Sequence, residues 1–221
     1  MFLPKIILSS FLVFILAFAA QAQKSEAKDW NIADYFKNLP KKYITTQGDF
    51  AQPSAETLVV DEKNGYAAQM DSSGSVSVEP FPVFEMALFK SQTKSPLVVV
   101  AHRKINSPCT EYEIFFLRRA GNRWTEVKQA VLPPLDLKMF WSPGGAQSAK
   151  KLLKIVKQGQ IYYYFEPPRV GRSMNVSLRI CDFLIDDAPS ATREEFGKLV
   201  ESAKPVYFEW DKQTGKFKFA K

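Results

Sequence analysis

The chain has 221 residues, with 30 Lys and Arg against 23 Asp and Glu, a formal net charge of +7, one His and two Cys. That length carries one large domain or two small ones, and a content of 46% hydrophobic and 14% aromatic residues excludes global disorder. A single histidine excludes a multi-histidine zinc site, and the sequence contains no Gly-x-Ser-x-Gly elbow, Walker loop or dinucleotide fingerprint.

Met1 and Lys5 precede an apolar run from Ile6 to Ala20, broken only by Ser9 and Ser10 and ending in Ala20-Gln21-Ala22. This is the pattern of a cleaved export signal over residues 1–22. The cation stays at the anionic inner face, the apolar stretch inserts, and the small side chains of Ala20 and Ala22 fit the peptidase. The run is short for a permanent span, which needs about 20 apolar residues, and no Cys follows the cleavage site to carry a lipid. Loss of Lys5 leaves 29 basic residues against 23 acidic ones, a balance of +6. The mature chain is expected in the periplasm or outside the cell, with no permanent membrane span. Its charge is dispersed among Asp and Glu, which serves solubility first, although a pI near 9.3 also favours attraction to anionic surfaces. No specific nucleic-acid binding is expected.

Residues 23–28 form a loose charged lead. Asp29 then stands as the N-cap of a helix in which Ile32, Tyr35 and Phe36 recur at helical spacing, and Pro40 ends it. Thr57–Val60 and Tyr66–Met70 flank Asp61-Glu-Lys-Asn-Gly65, a hairpin in which Asn64-Gly65 supplies positive φ. Strand-like runs follow at Val83–Lys90, Leu97–His102, Glu111–Arg118 and Arg123–Val127, joined by connections too short for a parallel crossover, so they read as an antiparallel meander. Leu97–Val100 is apolar on both faces and is expected to be a central strand covered on both sides.

Pro133-Pro134 and Ser142-Pro-Gly-Gly145 punctuate the chain. They divide a helix-plus-meander half over 29–135 from a second β-rich half with one helix over 146–221, the two expected to pack as one globular unit. In the second half the pattern predicts strands at Lys151–Val156, Ile161–Phe165 and Met174–Ile185. A helix then runs from Ser190 or Thr192 to Ala203, with Thr192-Arg-Glu-Glu195 as its capping box and Phe196, Leu199 and Val200 as its apolar stripe. The chain closes with a hairpin, Val206–Trp210 and Lys216–Phe219, whose Lys216 and Lys218 guard an edge. The fold class is α+β, predominantly antiparallel β-meander sheet, with a short helix near the mature N-terminus and one near the C-terminus.

Cys109 and Cys181 are a candidate disulfide for an oxidising compartment, closing a loop of about 70 residues and stabilising by roughly 4 kcal/mol. Met174, Val176, Leu178 and Ile180 share one strand face and leave Cys181 on the other. His102, followed by Arg103-Lys104, reads as a structural strand-end histidine rather than a general base. Glu111 and Glu113 on one strand face, and Asp186-Asp187, are the carboxylates available to a glycosidase-type pair. Asp182 with Asp186-Asp187 does not match a calcium-loop spacing. No metal and no cofactor are expected.

Tyr162 and Tyr164 lie on one face of Ile161–Phe165, with Arg169 and Arg172 in the following turn. These four are the candidate ligand-binding residues, a stacking platform beside two cations, although cross-strand aromatic packing explains the same run. The leading expectation is a non-catalytic binding or interaction protein whose partner is an anionic envelope polymer or another protein. The alternatives are a carboxylate-dependent hydrolase acting on an envelope polymer and a carrier of a small apolar ligand.

Asp34-Tyr-Phe-Lys-Asn-Leu-Pro40, Leu97–Ala101, Tyr112-Glu-Ile-Phe-Phe116, Trp124 and Leu132-Pro-Pro together resemble an uncharacterised family of exported bacterial proteins with a helix ending at a Leu-Pro or Met-Pro step and β-rich halves. The resemblance implies a β-rich fold and no particular activity.

Overall fold

The computed structural model describes residues 30–44, 53–70, 82–104, 111–141, 144–156, 161–180 and 188–220, with the backbone alone of Lys104 and Glu111. The segments expected to be an export signal and a charged lead, with Cys109, Cys181, Asp182, Asp186 and Asp187, lie outside the described residues.

Helix α1 (Ile32–Lys37) starts at Asn31. Its side-chain oxygen accepts the Asp34 N–H at 2.9 Å, and the Asp34 carboxylate accepts the Asn31 N–H at 3.1 Å. Two orphan donors are thus satisfied reciprocally, a capping box two residues beyond the expected cap at Asp29. Ile32, Tyr35 and Phe36 are buried, as their spacing predicts. A 3-10 turn, Lys41–Tyr43, follows Pro40.

Strands β1 (Val59–Asp61), β2 (Tyr66–Met70), β3 (Pro82–Phe89), β4 (Leu97–Lys104), β5 (Glu111–Ala120) and β6 (Arg123–Glu126) form a six-stranded antiparallel meander in chain order. Short connections leave each strand no partner but its sequence neighbour. β4 is interior, and Leu97 to Val100 are all fully buried. Val98 and Val100 pack with Phe84, Met86 and Leu117 under α1, whereas Leu97 and Val99 pack with Phe89 and Phe116 toward the second sheet. An unbroken apolar run, where alternation would leave a wet face, is the signature of a strand covered on both sides.

The second sheet has four strands, β7 (Ile161–Glu166), β8 (Ser173–Ile180), β9 (Val206–Asp211) and β10 (Lys216–Phe219), in the order β10-β9-β8-β7 and all antiparallel. Between the sheets the chain forms α2 (Lys128–Val131), a 3-10 turn at Leu137–Phe140, and α3 (Gly145–Ile155), while α4 (Ser190–Ser202) separates β8 from β9. The architecture is α+β and rich in antiparallel strand, with more helix than the sequence pattern predicts.

The strand expected at Lys151–Val156 is instead the end of α3. Ala149, Leu152 and Val156 recur every three or four residues and are buried, which suits a helix lying on a core and not a two-sided strand. Gly144, at φ 95, precedes it. A Cβ on Gly145 would lie 1.9 Å from the Lys138 carbonyl oxygen, so only glycine lets the helix start this close to the 3-10 turn. The capping box expected at Thr192 is not formed. The helix begins at Ser190 after Pro189, without a side-chain cap, and Thr192 already lies inside it.

Two hairpins share one turn chemistry. In Asp61-Glu-Lys-Asn-Gly65 the Asp61 carboxylate accepts the Asn64 N–H at 3.2 Å, and in Asp211-Lys-Gln-Thr-Gly215 that of Asp211 accepts the Gln213 N–H at 2.8 Å. Positive φ falls on Gly65 and Gly215 alone and not on Asn64, so each is a four-residue loop rather than a two-residue Asn-Gly turn.

The loop between β3 and β4 docks on the second of these turns. The Gln92 N–H donates to the Lys212 carbonyl at 2.9 Å, the Arg118 guanidinium donates to the carbonyls of Gly215 (2.7 Å) and Ser95, and the Trp210 indole N–H donates to Lys90 O at 2.8 Å. Beneath these bonds Phe89 meets Trp210 and Phe217 at centroid distances of 5.5 and 4.9 Å, and Phe116 meets Phe165 at 5.9 Å. One hydrophobic cluster therefore draws on both sheets.

Candidate functional site

Strand alternation divides β7 as its sequence dictates. Inward, Tyr163 stacks on Phe140 at 5.6 Å and Phe165 packs on Phe116. On the other face Tyr162 is 43% exposed, but Tyr164 is buried. β7 is an edge strand, so residues of the first sheet can wrap around it. The Tyr112 hydroxyl donates to the Phe165 carbonyl, and its ring lies 4.7 Å from that of Tyr164. The Arg103 guanidinium stands 4.5 Å over the Tyr164 ring, and that of Arg179 on β8 stands 5.3 Å from the same ring. Each such cation over an aromatic face contributes about 0.5–2 kcal/mol, more as water is excluded. In the β7–β8 register Arg179 faces the exposed Tyr162 directly.

Behind Tyr164 lies a polar cluster built by three adjacent strands. Glu85 is paired with Ala101, and Arg103, two residues on, shares its face. Glu85 Oε1 accepts the Tyr66 hydroxyl at 2.7 Å, and Oε2 accepts Arg103 Nη2 at 2.5 Å. Glu85 is only 5% exposed and Arg103 8%. Burial pushes the Glu85 carboxyl up, while Arg103 and the Tyr66 hydroxyl pull it back. Burial, seconded by the Glu85 carboxylate, pushes the Tyr66 phenol well above its ordinary value, and burial lifts Tyr164 to about 12. These phenols stay protonated at any physiological pH, so Tyr66 remains a donor to Glu85. The cluster is sealed from solvent. Its chemistry is to hold Arg103 against Tyr164 rather than to meet a substrate.

The two arginines of the β7–β8 connection lie apart from this centre. Arg169 Nε is 3.6 Å from the Asp61 carboxylate on β1, a cross-sheet pair in which the arginine is exposed and the aspartate partly covered. Arg172 accepts the Trp210 backbone N–H at 2.9 Å through its carbonyl and leaves its side chain exposed. Of the four residues expected to bind a ligand, Tyr162 and Tyr164 are thus brought together, with Tyr164 as the support and Tyr162 as the open ring. Arg179, Arg103, Tyr112 and Glu85 complete the group, and the sequence reading missed all four. Arg179 was accessible to it, since Met174, Val176 and Leu178 mark the inner face of β8 and put Arg179 beside the tyrosines. A lone acid in the apolar run Val83–Phe89 also implied a buried cation for Glu85.

His102 is fully buried, with Nε2 2.7 Å from the Tyr43 carbonyl, so Nε2 carries the proton and donates it there. Its ring contacts those of Phe84 at 4.8 Å and Phe115 at 6.5 Å. Burial pushes its pKa below the ordinary histidine value, partly offset by the bond to Tyr43. The imidazole pins the 3-10 turn after α1. Because the unfolded chain takes up this proton more readily, stability should be level above about pH 6.5 and fall on acidification, by up to about 1.4 kcal/mol per pH unit until the folded value is reached. Comparing wild type with His102→Gln, which retains a donor but does not titrate, should show the wild type losing urea resistance relative to the variant below pH 6.5. Curves that stay parallel would refute this.

Glu113 is exposed on β5, opposite His102 in the strand register. Among the described residues no group of three or more His, Cys, Asp or Glu is placed to hold a metal ion, and no helix is long and apolar enough to cross a membrane.

No protein family and no curated protein matches the chain. A solved structure, of a domain of an uncharacterized protein from Porphyromonas gingivalis W83, is similar over 70% of this chain and 70% of its own, at 12% identity and a TM-score of 0.46. The chemistry of the site rests on the chain's own residues.

Proposed function

We propose that this chain is an exported, non-catalytic binding protein of the periplasm or extracellular space, whose ligand is an acidic envelope polysaccharide gripped at Tyr162 and Arg179. One observation carries this reading. The Arg179 guanidinium rests on a buried tyrosine ring that Arg103 covers from the first sheet, and it lies across from a tyrosine left open to water. A cation braced in this way loses little rotamer entropy on binding, which is what favours affinity in a shallow site. Its five N–H donors suit a carboxylate, and the exposed face of Tyr162 suits the apolar face of a sugar ring. The +6 balance of the mature chain favours the encounter with a polyanion.

Isothermal titration with an oligogalacturonate, and with an uncharged dextran of equal length as control, tests this reading. Binding should be restricted to the acidic oligomer and weaken as salt rises. Arg179→Ala should reduce affinity by about tenfold or more, the scale of one charge-assisted hydrogen bond, and Tyr162→Ala by a similar factor. Failure of the oligomer to bind, or equal binding by Arg179→Ala, would overturn the assignment.

A further inference from the structure

A second surface, formed by different elements, interleaves cations with exposed apolar side chains. Helix α3 buries Ala149 and Leu152 and turns Lys150, Leu153 and Lys154 to solvent. Together with Lys138 these line an open hollow of about 490 Å³. The 3-10 turn Leu137–Phe140 is its wall, and the next residue of that turn, Met139, opens onto a second hollow of about 470 Å³ completed by Val206, Tyr207 and Phe219. Leu153 is 44% exposed and Tyr207 50%, and Met139 and Phe219 are more than one-third exposed.

The charges here do not all cancel. Lys138 is drawn to Asp136 at 3.1 Å and Lys151 to Glu195 at 3.7 Å, which leaves Lys150 and Lys154 to set the sign of the α3 face. Large apolar side chains gathered on one surface mark an interaction site when they are rimmed by polar ones. An acidic sugar polymer would engage the lysines and leave Leu153 and Met139 in water. An apolar peptide would strip water from the lysines without pairing them. The interface of an anionic bilayer meets both demands, with phosphates at the level of the lysine ammonium groups and the acyl boundary beneath the apolar tips. We infer that the surface formed by α3, the Leu137–Phe140 turn and the end of the sheet where β9 begins and β10 finishes docks this protein onto an anionic membrane leaflet. It is independent of the Tyr162–Arg179 site, and failure of either leaves the other standing.

Co-sedimentation of the mature chain, purified after export, with phosphatidylglycerol/phosphatidylcholine vesicles is the test. Partition should be strong on these, weak on pure phosphatidylcholine, and reduced by salt. Lys150→Gln/Lys154→Gln should weaken it by about thirtyfold, about fivefold for each lysine near the surface. Leu153→Ser/Met139→Ser should weaken what binding remains at high salt. Lys37→Gln/Lys63→Gln removes the same charge from α1 and the β1–β2 turn and should change partition less than threefold. Absence of binding to the anionic vesicles overturns the inference, as does an equal loss in the two lysine pairs, which would reduce the effect to net charge alone. Circular dichroism of each variant establishes that the fold is retained.

Discussion

Glu85→Ala should destabilise the protein by about 3–5 kcal/mol, the range seen when one partner of a buried ion pair is removed. The Arg103 guanidinium, 8% exposed, would lose the carboxylate that pairs with it at 2.5 Å, and it cannot shed its proton to escape. Arg103→Met is expected to differ in kind. Glu85, already pushed upward by burial, can then take a proton and become neutral, so the variant should recover stability relative to wild type as pH falls, whereas Glu85→Ala should not. The sign follows because Arg103 holds the Glu85 pKa down, so without it the folded variant binds the proton more tightly than folded wild type does. The double replacement Glu85→Leu/Arg103→Met leaves no buried charge and should regain most of the loss. Urea denaturation of the four proteins across the acid range measures all of this. A Glu85→Ala variant within about 0.5 kcal/mol of wild type, the usual span of surface substitutions, would show that the pair is not sealed.

Trp210→Ala should have a comparable effect, about 3–5 kcal/mol for the loss of a buried aromatic ring. Trp210 is almost fully buried, packs on Phe89 of the first sheet and Phe217 of the second, and gives its indole N–H to the Lys90 carbonyl. Trp210→Phe keeps a ring and removes the donor, and should lose about 1–3 kcal/mol through the unpaired carbonyl. Since the ring joins strands of both sheets, the loss should appear as one shifted transition, coincident by far-ultraviolet circular dichroism and by the fluorescence of the remaining tryptophans. Two separated transitions in the variant would mean that the sheets unfold independently.

Much of the architecture is local and hence legible. Period-two runs with short connections lead to the meander, and Leu97–Val100, apolar without interruption, lies where both faces are covered. The run Lys151–Val156 misleads because the β-branched pair Ile155-Val156 ends a segment whose earlier residues, Ala146 to Leu153, are helix formers with apolar positions three and four apart. Gly144-Gly145 reads as a turn in isolation. Its purpose emerges only from the approach of the Lys138 carbonyl.

The tyrosines of β7 were visible as a two-faced strand. Which face is wet was not, since an edge strand can be wrapped by a neighbouring sheet. Tyr164 is covered by Arg103 and Tyr112, residues about 60 and 50 positions earlier in the chain.

Strand alternation, turn chemistry and helix spacing depend on residues within a few positions of one another. The sequence alone therefore determined the meander order and antiparallel sense of the first sheet and which residues share a strand face. The depth at which a charge sits depends on what the rest of the chain brings over it. The burial of Glu85 with Arg103, the bracing of Arg179 beside Tyr162, and the placing of Lys138 beside Lys150 and Leu153 were decided only by tertiary packing.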